Sequence, residues 1–151
     1  MNEITVKKTE AILVASLRKK FHKDLFDGEL EGMWSKVNDS IEQHKIKKSV
    51  PCLMIYHKGW WDFTDGEKEE NKYLDVETAE PVLKTYLSDS DIRVYKLPAE
   101  EKTACVIHQG SFETIGSTFE AFFKWIKENN YTVNGPLREI YHKGDWATDN
   151  P

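Results

Sequence analysis

The sequence predicts an α+β fold made by duplication. Two copies of a strand-strand-helix-strand-strand unit would form an antiparallel sheet with two helices on one face. Three observations carry this expectation. The string Ile55-Tyr56-His57-Lys58-Gly59 recurs as Ile140-Tyr141-His142-Lys143-Gly144, an offset of 85 residues. At that offset Pro51 meets Pro136, Trp61 meets Trp146, Trp34 meets Phe119, Val37 meets Phe122 and Ile41 meets Ile126. Finally, two amphipathic helical stretches have no further helices to pack on, so each must cover a sheet. The 151 residues then read as a single domain, with pseudo-repeats 1–82 and 92–151.

In the first copy, Ile4 to Lys8 and Ala11 to Leu17 alternate or run apolar with β-branched residues, which reads as two strands. A helix follows over Glu29 to Lys45, because Leu30, Met33, Trp34, Val37 and Ile41 keep the three-and-four spacing of one buried face. Asp27 stands where an N-cap belongs, with Glu29 and Glu31 favourable in the first turn. Pro51 to His57 reads as a strand whose proline opens it, where no ladder donor is lost. Asp62 to Asn71 is charged and contains Asp65-Gly66, a solvated turn or loop. Tyr73 to Val82 closes the unit as its last strand.

The second copy supplies strands over Ile92 to Leu97 and Thr103 to His108. Gly110-Ser111 opens its helix with Ser111 as the expected N-cap, and Ile115, Phe119, Phe122, Phe123 and Ile126 form the buried stripe. Asn129-Asn130 ends this helix near Glu128, since asparagine tolerates the left-handed conformation that closes a helix. Pro136 to Lys143 is the matching strand. The final strand of the second unit is missing from this pattern, which would leave a sheet edge open to pairing with a second copy of the chain.

Composition narrows the chemistry. A chain this long can bury roughly 70% of its extended surface without staples. With 39% hydrophobic and 31% charged residues the composition is globular. No apolar run is long enough to span a membrane, and the N-terminus lacks the pattern of a signal peptide. Cys52 and Cys105 lie in apolar strand-like runs and read as lone thiols, which fits a cytoplasmic protein. The net charge of −5 opposes direct nucleic-acid binding, which rests on Lys and Arg neutralising phosphates. Gly28 and Gly32 are too isolated for a nucleotide loop, and the cysteines match no metal spacing. The five histidines are scattered, with His57 and His142 as repeat mates. No cofactor, metal or catalytic residue is expected.

Glu139 is the informative residue. It lies mid-strand where the first copy has Met54, so one repeat places a carboxylate where the other places an apolar side chain. Among apolar neighbours such a group has a raised pKa or a cationic partner. A surface salt bridge with Arg138 or a lysine of an adjacent strand is the competing reading. Alternation puts Leu137, Glu139 and Tyr141 on one side of the strand. Tyr56, Tyr141, Trp61 and Trp146 lie on or just past the paired strands, while Trp34 and Phe119 are the repeat-related helix aromatics. Together they are the candidate ligand-binding set, since an aromatic-walled cleft holding one acid suits a flat lipophilic cation.

Leu97-Pro98, Ala104 to His108, Gly110-Ser111-Phe112, the aromatic helix ending Asn129-Asn130-Tyr131, and Gly135-Pro136-Leu137-Arg138-Glu139-Ile140-Tyr141 follow one pattern. They resemble the effector-binding domain of AraC- and MerR-type bacterial regulators, the gyrase-inhibitor-like small-molecule-binding superfamily. The resemblance is specific over residues 92–143 and looser over 1–82. It implies the duplicated sheet-and-two-helix fold and a pocket for drug-like, often cationic ligands, in which the family's strand glutamate falls on Glu139. The family's following Thr-Glu-bearing strand has no counterpart here.

The expected function is non-catalytic sensing or sequestering of amphipathic small molecules, either as a stand-alone binding protein or as a sensor domain detached from its DNA-binding part, with a DNA-binding protein or gyrase as the candidate partner. Hydrolysis of cyclopropane-containing natural products and gyrase inhibition by protein contact are the alternatives.

Overall fold

The structure is a computed structural model and describes residues 3–49, 51–62, 72–88 and 91–141. Its elements follow in the order β1 (Ile4–Thr9), β2 (Ile12–His22), α1 (Phe26–Gln43), β3 (Leu53–Lys58), β4 (Tyr73–Pro81), β5 (Arg93–Leu97), β6 (Glu100–Val106), α2 (Ile115–Glu128) and β7 (Leu137–Ile140). Two helices and antiparallel strands make the α+β class that the pattern predicts. The chain divides into two compact units.

The larger unit holds β2, α1, β3, β4, β5 and β7. Its five strands pair in the order β5-β2-β4-β3-β7, and every pairing is antiparallel. Helix α1 packs on β2 and β4. Met33, Val37 and Ile41 are buried from the helix, and they meet Ala15, Leu17, Phe21, Met54, Tyr56, Leu74 and Val76 from the strands. The other face of the sheet buries a smaller group, Val14, Leu53, Ile55, Ala79 and Leu97. The alternation of β3 therefore sends Met54 and Tyr56 to the helix side and Leu53 and Ile55 to the other.

The smaller unit holds β1, β6 and α2. Strands β1 and β6 pair antiparallel, from Ile4 opposite Val106 to Thr9 opposite Glu100. Strands β2 and β5 resume with Ile12 opposite Leu97. In place of the single expected sheet there are thus two, one of two strands and one of five, and the break between β5 and β6 falls where Pro98 has no N–H to donate. On α2, Ile115, Phe119, Phe122, Phe123 and Ile126 are half-buried, with Phe119 stacked on Phe123 at 6.2 Å between ring centroids.

Several boundaries differ from the sequence pattern. Strand β2 runs to His22 rather than Leu17, because Lys19, Lys20 and Phe21 remain laddered to Val76, Asp75 and Leu74. Helix α1 begins at Phe26, which leaves Asp27 inside the first turn instead of at the N-cap. The cap position is Leu25, without a side-chain bond, and Asp27 and Glu29 act on the helix dipole instead. Ser111 likewise is not the cap of α2: a 3-10 turn over Phe112–Thr114 intervenes and Thr114 takes that position. Strand β6 stops at Val106, where its partner strand ends, so His108 lies beyond it.

Both helices close the same way. Lys45 and Asn130 take φ of 57° and 60°. The amides of Ile46 and Tyr131 donate to the carbonyls of Ile41 and Ile126 at 3.1 and 3.0 Å. That is the six-to-one bond of a Schellman closure, and it fits the role expected of Asn129-Asn130.

Candidate functional site

Residue pairing builds the site from four strands. Leu17 pairs with Thr78, Thr78 with Met54, and Met54 with Glu139. These four stand in a row across the helix-covered side of the sheet. In the next row Tyr56 pairs with Leu137. Glu139 thus lands beside Met54, its own counterpart at the 85-residue offset.

Both hydrogen bonds to this carboxylate end on one oxygen. Oε1 accepts from the Tyr141 hydroxyl at 2.5 Å and from the Tyr56 hydroxyl at 3.2 Å. Among the described residues Oε2 accepts none, and no Lys, Arg or His pairs with the group. The salt bridge with Arg138 or a neighbouring lysine is therefore not made. Burial pushes the Glu139 carboxyl above its ordinary range, and the two phenol bonds oppose this without cancelling it. Tyr56 and Tyr141 are raised far above ordinary phenols, by burial first and by nearby Glu139 in addition, so they stay protonated donors.

Aromatic rings enclose the two phenols. The Trp34 ring meets Tyr141 edge-on at 6.5 Å, and the Trp61 ring meets Tyr56 edge-on at 5.0 Å. Gly59 makes the second contact sterically accessible. A Cβ at this position would lie 2.5 Å from Cζ2 of Trp61, so only glycine lets the indole fold back over the strand end. Five of the seven candidate residues, Glu139, Tyr141, Tyr56, Trp34 and Trp61, therefore form one contiguous cluster in the larger unit. Phe119 belongs to the smaller unit. Trp146 and His142 lie outside the described residues.

Two residues of this neighbourhood have no place in the expected set. Trp60 lies 6.4 Å from Tyr56 and 4.6 Å from Phe26, and is 41% exposed. Thr78 is fully buried, and its Oγ1 has no hydrogen-bond partner.

A second carboxylate occupies the opposite face. Glu77 is 2% exposed in the middle of β4. Its Oε2 accepts from the Ser16 hydroxyl at 2.6 Å and from the Tyr95 hydroxyl, and its Oε1 accepts from His57 Nε2 at 2.9 Å. Burial alone would raise its pKa, but the bonds from His57, Ser16 and Tyr95 win and hold it at about 2. Tyr95 in turn is pushed up to about 12, by burial and then by Glu77. Sequence reasoning missed this carboxylate, because Asp75 and Glu77 alternate with Leu74 and Val76 as the solvent side of a strand would. Nearby Arg18 makes two bonds to Asp75, at 2.9 and 2.8 Å.

Among the described residues no group of His, Cys, Asp and Glu could hold a metal ion. Cys52 and Cys105 are free and half-buried, and burial raises both thiols. No helix of the described residues is long and apolar enough to cross a membrane.

Comparison with known proteins agrees with this architecture. The crystal structure of the EcmrR C-terminal domain matches with a TM-score of 0.77 at 20% sequence identity, covering 97% of this chain and 87% of that one. EcmrR in a cryo-EM structure of its DNA complex, EcmrR-RPo, matches with a TM-score of 0.76 at 20% identity, covering 98% of this chain and 53% of that one. The chain thus spans about half the length of the EcmrR subunit in that complex. At this identity the likeness speaks for the fold. Comparison with curated proteins gives no match. The family model described as the GyrI-like small molecule binding domain matches residues 2–151, and the chain belongs to that family.

Proposed function

We propose that this domain binds lipophilic aromatic cations, with Glu139 as the counter-charge and Tyr56, Tyr141, Trp34 and Trp61 as the walls. One observation carries the reading. A half-buried carboxylate, short of donors and without a cationic partner among the described residues, stands between phenol and indole rings. A bound cation supplies the missing charge, and flat rings supply cation–π and stacking attraction. The role is sensing or sequestering rather than turnover. EcmrR, which shares the fold, has been captured in a complex with DNA. For this chain we place the DNA-reading role on a partner, given the net charge of −5.

Tetraphenylphosphonium is a suitable probe, because it is permanently charged and carries four rings. Losing a desolvated counter-charge costs on the order of 2–5 kcal/mol, about 30-fold or more in affinity. Titration calorimetry at pH 7 should show that loss for Glu139→Gln, while a neutral triaryl compound binds both proteins alike. Equal affinity of the two proteins for the cation refutes the reading.

The domain is further proposed to descend from a duplication. Met54 pairs with Glu139 and Ile12 with Leu97, each partner 85 residues away. The left-handed closures at Lys45 and Asn130 keep the same spacing. A two-fold exchange of repeats at that offset requires such self-pairing, and unrelated halves have no reason to show it.

A further inference from the structure

We propose that His57 is a positioning residue for the Glu139 site: anchored to Glu77 on the far face of the sheet, it fixes the β-bulge that presents Tyr56 and Trp61. The ligand arm of the argument rests on the reading of Glu139 given above.

The bulge is visible in the pairing. Tyr56 stands opposite Val76 and Lys58 opposite Asp75, so His57 is the extra residue with no place in the ladder. A bulged residue re-aims the side chains around it, and its own position depends on what its side chain grips. His57 grips a rigid point. Its Nε2–H donates to Oε1 of Glu77 at 2.9 Å. Glu77 is held in turn from β2 by Ser16 at 2.6 Å and from β5 by Tyr95. The anchor therefore spans four adjacent strands.

The residues on either side of this anchor belong to the candidate site. Tyr56 points to the opposite face, where its hydroxyl donates to Glu139 at 3.2 Å. That bond is longer than the 2.5 Å bond from Tyr141, so a shift of a few tenths of an ångström breaks it first. Three residues after Lys58, the Trp61 indole returns over Gly59 to meet Tyr56. Freeing the bulge disturbs both contacts together, whereas Tyr141 and Trp34 do not depend on it.

The test compares wild type with His57→Ala, His57→Gln and Tyr56→Phe. Two readouts are needed: tetraphenylphosphonium affinity by calorimetry, and titration of the Glu139 side-chain carboxyl carbon by NMR in the ligand-free protein. His57→Ala should weaken the probe about tenfold, because the displaced Tyr56 and Trp61 rings no longer offer it their faces. It should also move the Glu139 titration upward, as Tyr56→Phe does, because the Tyr56 bond favours the carboxylate form. His57→Gln keeps a donor within reach of Glu77 and should bring both readouts back to within about twofold of wild type. Should His57→Ala not fold, His57→Asn, whose amide stops short of Glu77, takes its place. An unmoved Glu139 titration in His57→Ala overturns the proposal, as does a loss that His57→Gln fails to restore. Failure of wild type to bind the probe would refute the cation reading alone, since the ligand-free titration still decides the role of His57.

Discussion

Replacing Glu77 by Gln removes a charge and leaves the shape, and the structure fixes how that should read out. The wild-type carboxyl falls from an ordinary 4.5 to about 2 on folding. A folded pKa below the unfolded one means that the native state binds fewer protons, so the stabilisation is present above the unfolded value and fades as pH drops toward 2. A shift of this size corresponds to about 3 kcal/mol at pH 7. Glu77 is 2% exposed, so solvent screens its charge poorly. In Glu77→Gln the amide oxygen can keep the Ser16 and Tyr95 bonds, and the His57 ring can change tautomer to face the amide nitrogen. What disappears is the charge-assisted part. Guanidinium denaturation at pH 7 should therefore show the variant about 3 kcal/mol less stable, or roughly 6–12 °C lower in Tm for a chain of this size. The deficit should hold steady down to about pH 5 and shrink at lower pH, as the wild type loses its own charge. A deficit that does not change between pH 7 and pH 3 would show that the network acts through packing, and the electrostatic account would be wrong.

Three further outcomes follow from the same geometry. Glu139 has the opposite sign: its folded pKa is raised, so its ionised form weighs against the native state as pH rises through that value. Ligand-free Glu139→Gln should accordingly be at least as stable as wild type at pH 7, with any advantage vanishing below about pH 4 in denaturation curves; a clear loss of stability at pH 7 counts against it. Gly59→Ala would place its Cβ 2.5 to 2.7 Å from three atoms of the Trp61 ring. The indole must swing off Tyr56, which near-UV circular dichroism will register, and tetraphenylphosphonium binding should fall severalfold; an unchanged spectrum speaks against the contact. Thr78→Val exchanges an orphaned, fully buried hydroxyl for a methyl group of the same shape. It should stabilise the protein by about 1 kcal/mol or more in thermal unfolding, and a lower Tm would mean that the hydroxyl has a bound water.

How far the sequence reveals this arrangement depends on whether a residue's environment is local. The α1 stripe of Met33, Val37 and Ile41 is legible because helical period and burial coincide within one element. Asn130 is legible because its left-handed backbone is a property of the residue type. Glu139 stands out through the 85-residue offset of the recurring string, which sets it against Met54. By contrast, Arg18, Lys19 and Lys20 look like the end of a strand in sequence, and only their pairing with β4 and the anchor of Phe21 keep them in β2. Glu77 is hidden for the same reason. Asp75 and Glu77 alternate with Leu74 and Val76 just as the solvent side of a strand would. Its burial comes from Ser16, Tyr95 and His57, which lie on three other strands.

The two carboxylates sit in one sheet, one on each face, and their donors set them apart. Glu77 receives bonds on both oxygens from three groups, and that suffices to overcome the cost of burial and keep it ionised. Glu139 receives two, both on the same oxygen, and burial prevails. An anion whose bonding is complete gains nothing from a ligand and serves to hold strands in place. An anion left short of donors is poorly stable alone and gains most from a cation brought to it. On the reading proposed above, the same imbalance that makes Glu139 a cost to the empty fold makes it the selective contact for a charged guest. His57 joins the two, with its ring on the satisfied acid and its neighbour Tyr56 on the unsatisfied one.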